Sequence, residues 1–121
     1  MAQMRRSRVL EKLRAGKVAG CVKLNLGDPR VAEIAAASGV DCIWLDLEHV
    51  GNDWREIENQ IRAAKVYDVD TMVRVSRGSY SDLIRPLEMD ATGIMVPHVM
   101  SARDARQAQR LSSCMALSCS T

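Results

Sequence analysis

The stretch DCIWLDLEH, residues 41–49, is apolar through Leu45 and closes on Asp46, Glu48 and His49. A strand buried in a parallel sheet reads this way, apolar along its length and polar at its C-terminal end. Downstream, Asp53 and Glu56 stand in capping-box spacing and are followed by Trp54, Ile57, Ile61 and Ala64 at steps of three and four, which predicts an amphipathic helix with those four side chains inward. TMVRV (71–75) is the next strand. Ser79 and Asp82 repeat the capping device ahead of Leu83, Ile84 and Leu87. TGIMVPHV (92–99) is a fourth strand, and Ser101 with Asp104 opens a fourth helix.

Upstream, VAGCVKLNL (18–26) is apolar and β-branched enough for a strand, closed by the turn signal Gly27-Asp28-Pro29. A helix over about 30–38 would turn Val31, Ile34 and Ala35 inward, with Gly39 where a left-handed C-cap residue is wanted. Residues 4–14 place Val9, Leu10 and Leu13 against Arg5, Arg6, Lys12 and Arg14 and read as a short amphipathic helix. That basic helix has a narrow apolar stripe without aromatic anchors, so a solvated outer face is expected rather than a membrane contact. The segmentation is thus an N-terminal helix in 1–17, four βα units in 18–110, and a tail, 111–121. Four βα units in succession imply a parallel α/β sheet with right-handed crossovers. Two architectures satisfy that pattern: a self-contained doubly wound sheet, or half of a (β/α)8 barrel, which needs about 250 residues.

The 121 residues are 47% hydrophobic and 26% charged, with a formal charge of +2. So small a charge argues against a nucleic acid or a membrane surface as partner and favours a small molecule. The chain shows neither a run of ~20 apolar residues nor a signal-peptide core, and a cytoplasmic protein is expected. Cys21, Cys42, Cys114 and Cys119 form no CxxC pair. Buried, inert thiols are expected rather than disulfides, and a zinc site joining them to His49 or His98 would need ligands from scattered positions. The tail LSSCMALSCST, with four Ser, two Cys and no charge, breaks the pattern without a fifth strand. It reads as a truncation or altered frame near Leu111.

Ligands of parallel βα folds bind at the C-terminal ends of the strands. The residues there are Asn25 and Asp28, then Asp46, Glu48 and His49, then Arg74 and Arg77, then Pro97 and His98. His49 beside two acids suits a general base near neutral pH, although a capping or surface-loop histidine beside two solvated acids is the commoner reading of such a residue. Arg74, inside an apolar strand, must pair with a carboxylate or face a polar cavity, where it would bind a substrate carboxylate or a developing oxyanion. His98 has no acid near it in sequence and reads as structural. Lys23 would be a Schiff-base nucleophile only if desolvated.

The segments AEIAAASGVDCIWLDLEHVGND (32–53), MVRV (72–75) and RPLEMDATGIMVPHV (85–99) together resemble the HpcH/HpaI aldolase family, the metal-dependent class II pyruvate aldolases. The similarity runs from about residue 18 to Arg110, the N-terminal half of such a protein. It implies the N-terminal half of a (β/α)8 TIM barrel that cleaves a 2-keto-4-hydroxy acid to pyruvate and an aldehyde, as in aromatic or sugar-acid catabolism. It also implies a divalent metal, Mg, Mn or Co, that chelates pyruvate and acts as Lewis acid. By position, His49 corresponds to the base that moves the proton, Arg74 to the arginine that binds substrate and stabilises the oxyanion, and Asp46 to the acid of the strand-two motif. Glu88 corresponds to a carboxylate that raises the basicity of the histidine, in some members across a subunit interface. Leu47 stands where many members have Gly.

The family's metal ligands, a Glu and an Asp, come from strands five and six, so no residue here is assigned as ligand. Asp28 and Asp82 each lack a second carboxylate at the required geometry. Family members are usually homo-oligomers, often hexamers. One expectation is therefore an aldolase half, weak or inactive alone. The alternatives are a non-catalytic half-barrel that associates with itself or another chain through open strand edges, and a metal-free enzyme using Lys23.

Overall fold

A computed structural model describes residues 5–76 and 78–118, without the side chains of 112–118. Nine elements follow in chain order: α1 (Arg8–Arg14), β1 (Cys21–Lys23), α2 (Pro29–Ala37), β2 (Cys42–Asp46), α3 (Trp54–Lys65), β3 (Asp70–Arg74), α4 (Tyr80–Glu88), β4 (Gly93–Met95) and α5 (Ala102–Ser118). All strand pairs are parallel, with Cys42 against Cys21 and Asp70, Trp44 against Lys23 and Met72, and Arg74 against Asp46 and Met95. The spatial order is β1-β2-β3-β4. Strands laid down consecutively by right-handed crossovers put their helices on one face, as in a barrel wall; a doubly wound sheet would reverse its order at a switch point. The four strands form an open part of such a wall.

Alternation of side chains divides the sheet. Ile43, Leu45, Val73 and Val75 face the helices and share one core with Ala32, Ala36, Ile57, Ile61, Ala64 and Leu83. Lys23, Trp44, Asp46, Met72, Arg74 and Met95 alternate with them and belong to the opposite, barrel-interior face. The capping box of α3 forms as expected: Glu56 N donates to Asp53 Oδ1 at 2.8 Å, and Asp53 N to Glu56 Oε2 at 2.7 Å. Ser79 N donates to Asp82 Oδ2 at 2.8 Å ahead of α4, and Asp104 N to Ser101 Oγ at 3.1 Å ahead of α5. Gly39 takes φ +89 just past α2, the left-handed conformation glycine adopts without strain.

The first unit differs from the sequence reading in detail. Ile34 is 71% exposed, because α2 turns Ala32 and Ala36 to the core. Leu10 and Leu13 of α1 are also exposed, and Trp54 is half-buried under the Arg85 guanidinium, 5.1 Å from its ring. β1 and β4 have three residues each, shorter than expected, and each has one neighbouring strand where β2 and β3 have two. α1 is a lid on the rim where the strands begin. Arg5 reaches Asp68, Asp70, Thr92 and the Val69 carbonyl, Ser7 Oγ and Val9 N donate to Asp70, and Lys12 pairs with Asp41 at 2.7 Å. α5 continues as helix across Leu111 to Ser118, where the composition of the tail suggests a break. No helix among the described residues is long and apolar enough to cross a membrane. Cys42 is buried and Cys21 exposed, both unpaired; Cys119 and the side chain of Cys114 lie outside the described residues.

Candidate active site

The C-terminal ends of β2, β3 and β4 converge on one cluster. Asp46, the last residue of β2, is fully buried. Its carboxylate accepts from Arg74 Nε at 2.9 Å and from Arg74 Nη2, a bidentate pair across the β2–β3 register. Lys23 Nζ lies 3.1 Å away, and the backbone N–H of Glu48 donates at 2.9 Å. Burial alone would raise the Asp46 carboxyl pKa. The guanidinium, the Glu48 N–H, the Lys23 ammonium and the His49 N–H outweigh it and hold the group well below the usual carboxylate range. Arg74, 16% exposed, is raised in turn, chiefly by its hydrogen bond to Asp46. Asp46 is therefore a fixed anion that orients Arg74 and tethers Lys23. Both cations also flank the Trp44 ring, each 5.2 Å from its centroid.

Glu48 is the second hub, with a side chain only 10% exposed. Its Oε2 lies 3.3 Å from Arg74 Nε and 3.5 Å from His49 Nε2, and its Oε1 lies 2.8 Å from His98 Nε2. His49 and His98 are 63% and 62% exposed at the cluster's solvent edge. The expectation that His98 lacks an acid partner is thus corrected: its partner is fifty positions back in sequence. His98 holds φ +53, a left-handed conformation that costs a residue with a Cβ on the order of 1 kcal/mol and that collects at functional sites. Beside it, a cavity of about 110 Å³ opens between α4, α5 and the end of β4, lined by Leu83, Val96, Pro97, Ala108 and Leu111 among others.

The remaining candidates fall elsewhere. Asp28 caps α2, bonded to the backbone and guanidinium of Arg30, and those bonds lower its pKa to about 2. Asn25 is exposed. Lys23 is committed to Asp46 and the Trp44 face, the arrangement of a paired cation rather than of a desolvated amine. Glu88 is exposed at the last position of α4. The helices run antiparallel to the strands, so that helix end sits at the opposite rim, beside the pair between Lys65 and Asp90 and the Thr92 N–H bond to Thr71. One chain does not bring Glu88 to His49. Arg77 lies outside the described residues.

Asn52 and the Trp44 indole contribute to the site without a signal in the sequence pattern. Asn52 Nδ2 donates to the Asp46 carbonyl at 3.0 Å and packs closely on the turn residue Gly27, where an added Cβ would meet Asn52 Oδ1 at 2.7 Å and shift that side chain. Trp44 carries a buried Nε1 without a partner among the described residues, a spare donor beside Arg74 and Lys23.

Mg²⁺ and its like want near-octahedral oxygen coordination. Asp46 is sealed by two cations and Glu48 faces two imidazoles, so among the described residues these strand ends do not make an oxygen-rich cation site.

A family model for HpcH/HpaI aldolase/citrate lyase matches residues 22–117. The chain belongs to this family. HpcH/HpaI relatives include a hydroxypyruvate/pyruvate aldolase from Pseudomonas aeruginosa, 34% identical over 99 residues, which cover 82% of this chain and 37% of that protein. The HpcH/HpaI aldolase of Desulfitobacterium hafniense DCB-2 superposes with a TM-score of 0.78 at 35% identity, covering 85% of this chain and 40% of the other. A citrate synthase structure gives 0.69 at 36% identity, covering 74% and 36%. The fold is of the TIM-barrel type, and the chain spans well under half the length of these HpcH/HpaI relatives.

Proposed function

We propose that this chain supplies the proton-transfer and oxyanion half of an aldolase site, which splits a 2-keto-4-hydroxy acid into pyruvate and an aldehyde. The observation that carries the reading is Arg74 locked by the buried Asp46 at the same strand ends that present His49. Arg74 commits Nε and Nη2 to Asp46, and its Nη1 makes no hydrogen bond among the described residues. A guanidinium so fixed stabilises charge appearing on the C2 oxygen without having to reorganise. In cleavage, His49 takes the C4 hydroxyl proton, the C3–C4 bond breaks, and the electron pair runs into the enolate of pyruvate opposite Arg74. Return of the proton to C3 releases pyruvate.

The metal dependence implied by the resemblance belongs to the whole protein, and no step is routed through a metal on these residues. Glu88 could serve His49 only from a neighbouring subunit, so its role goes with a homo-oligomer. Pyruvate release from a 2-keto-4-hydroxy acid, coupled to its reduction with NADH, tests the reading. Arg74→Ala is expected to lose roughly 10²–10³-fold in kcat; equal rates in wild type and variant would overturn it.

The open sheet favours a second reading. Among the described residues β1 and β4 have no strand on their outer edges and the interior face holds Met72 and Met95 half-buried, so a half-barrel that pairs with another chain would cover them. Sedimentation showing self-association in a chain without cleavage activity supports it; a monomer that cleaves refutes it.

A further inference from the structure

We propose that Glu48, His49 and His98 form a binding site for a borderline divalent cation of the Zn²⁺ type. One ligand atom from each residue, a Glu48 carboxylate oxygen and an imidazole nitrogen of each histidine, lies within 4.8 Å of the others. The closest approaches are 2.8 Å from Glu48 Oε1 to His98 Nε2 and 3.5 Å from Glu48 Oε2 to His49 Nε2. In a tetrahedral zinc site with bonds of about 2.0–2.1 Å, ligand atoms sit roughly 3.4 Å apart. The widest pair must therefore close by no more than about 1.4 Å, a movement that two rings at the solvent edge make by side-chain rotation.

The donors choose the metal. Two imidazoles and one carboxylate suit Zn²⁺, Co²⁺ or Ni²⁺, whereas Mg²⁺ demands oxygen ligands and retains its water. The protein fixes the anionic ligand best: Glu48 is nearly buried and held by Arg74 Nε at 3.3 Å, the outer-shell anchoring that ligating carboxylates need. Asp46 compensates the guanidinium charge in turn. The left-handed turn at His98 brings the third ligand in from the end of β4, and three protein ligands leave a fourth position for water or an anion.

This site stands independently of the aldolase reading and is at odds with it in one respect. A metal on His49 Nε2 occupies the lone pair that proton transfer requires, so the loaded form is the silent one.

The test is a Co²⁺ titration of the 121-residue chain, free of any histidine tag, read by visible d–d absorption and calorimetry. One Co²⁺ per chain is expected, with the intense bands of a four-coordinate site, displaced by Zn²⁺ and untouched by excess Mg²⁺. His98→Gln, His49→Gln and Glu48→Gln should each weaken binding roughly tenfold or more. His98 is exposed, so His98→Gln should keep the far-ultraviolet dichroism of the parent. Cys21→Ser controls for the exposed thiol among the described residues and should bind like wild type. Absence of one-to-one binding at micromolar metal, equal affinity in His98→Gln, or a thiolate charge-transfer band lost in Cys21→Ser would each overturn the proposal.

Discussion

Replacing Asp46 with Asn keeps the shape of the side chain and removes its charge. The amide oxygen of the variant can still accept from the Glu48 N–H and from Arg74 Nε, but the amide nitrogen presents hydrogens to Arg74 Nη2 and Lys23, where Asp46 Oδ2 accepts. Two charge-assisted contacts are lost, each worth about 1.5–3 kcal/mol. Arg74 is nearly buried and Lys23 two-thirds buried, so water does not replace the lost partner fully. The expected cost is about 3–5 kcal/mol, the range for breaking a buried pair from one side. Urea unfolding followed by tryptophan fluorescence should show the midpoint falling by roughly 1–3 M.

The pH dependence carries a sign. The folded-state carboxyl is held below its ordinary range, so its contribution is complete above the unfolded value of about 3.9 and fades as pH falls toward the depressed folded value. Wild type and Asp46→Asn should therefore differ most near neutral pH and converge below about pH 4. A difference under about 1 kcal/mol at pH 7, or one unchanged at about pH 3, would refute the assignment of Asp46 as the buried anion of the cluster.

Other substitutions separate core, loop and surface. Ile61→Ala empties a fully buried position of α3 and should cost about 2–5 kcal/mol in the same urea experiment. Gly27→Ala forces Asn52 off the Asp46 carbonyl and should cost about 1–3 kcal/mol, visible in the thermal midpoint. Lys65→Ala removes an exposed pair with Asp90 and should change stability by less than about 1 kcal/mol, an effect that salt erases.

Much of this fold is legible in residues 41–87 because local and global signals agree there. The capping box Asp53/Glu56 sets the start of α3, and of its apolar steps of three and four Ile57, Ile61 and Ala64 are buried, while Trp54 at the first position is half-buried under Arg85. The first unit is harder. Ile34 looks like a core residue by type, yet the helix sets the smaller Ala32 and Ala36 inward. At the site, Arg74 is recognisable as an arginine that an apolar strand cannot leave unpaired, and Asp46 is the acid opposite it in register.

The Glu48–His98 contact joins residues fifty positions apart and depends on the left-handed backbone after Pro97, which no periodicity encodes. Glu88 illustrates the converse. Its sequence neighbourhood matches the family, but the antiparallel run of α4 carries it to the far rim, a consequence of topology rather than of any local pattern.

In the function proposed, Arg74 and His49 together hold and protonate a pyruvate enolate. Its most direct test is exchange of the pyruvate methyl hydrogens with D₂O, followed by proton NMR in the presence of excess Mg²⁺, because enolate formation and reprotonation are all it requires. Wild type should exchange above the buffer rate, with Arg74→Ala and His49→Gln both reduced to background. Absence of exchange in the wild type, or exchange that persists in both variants, would contradict it.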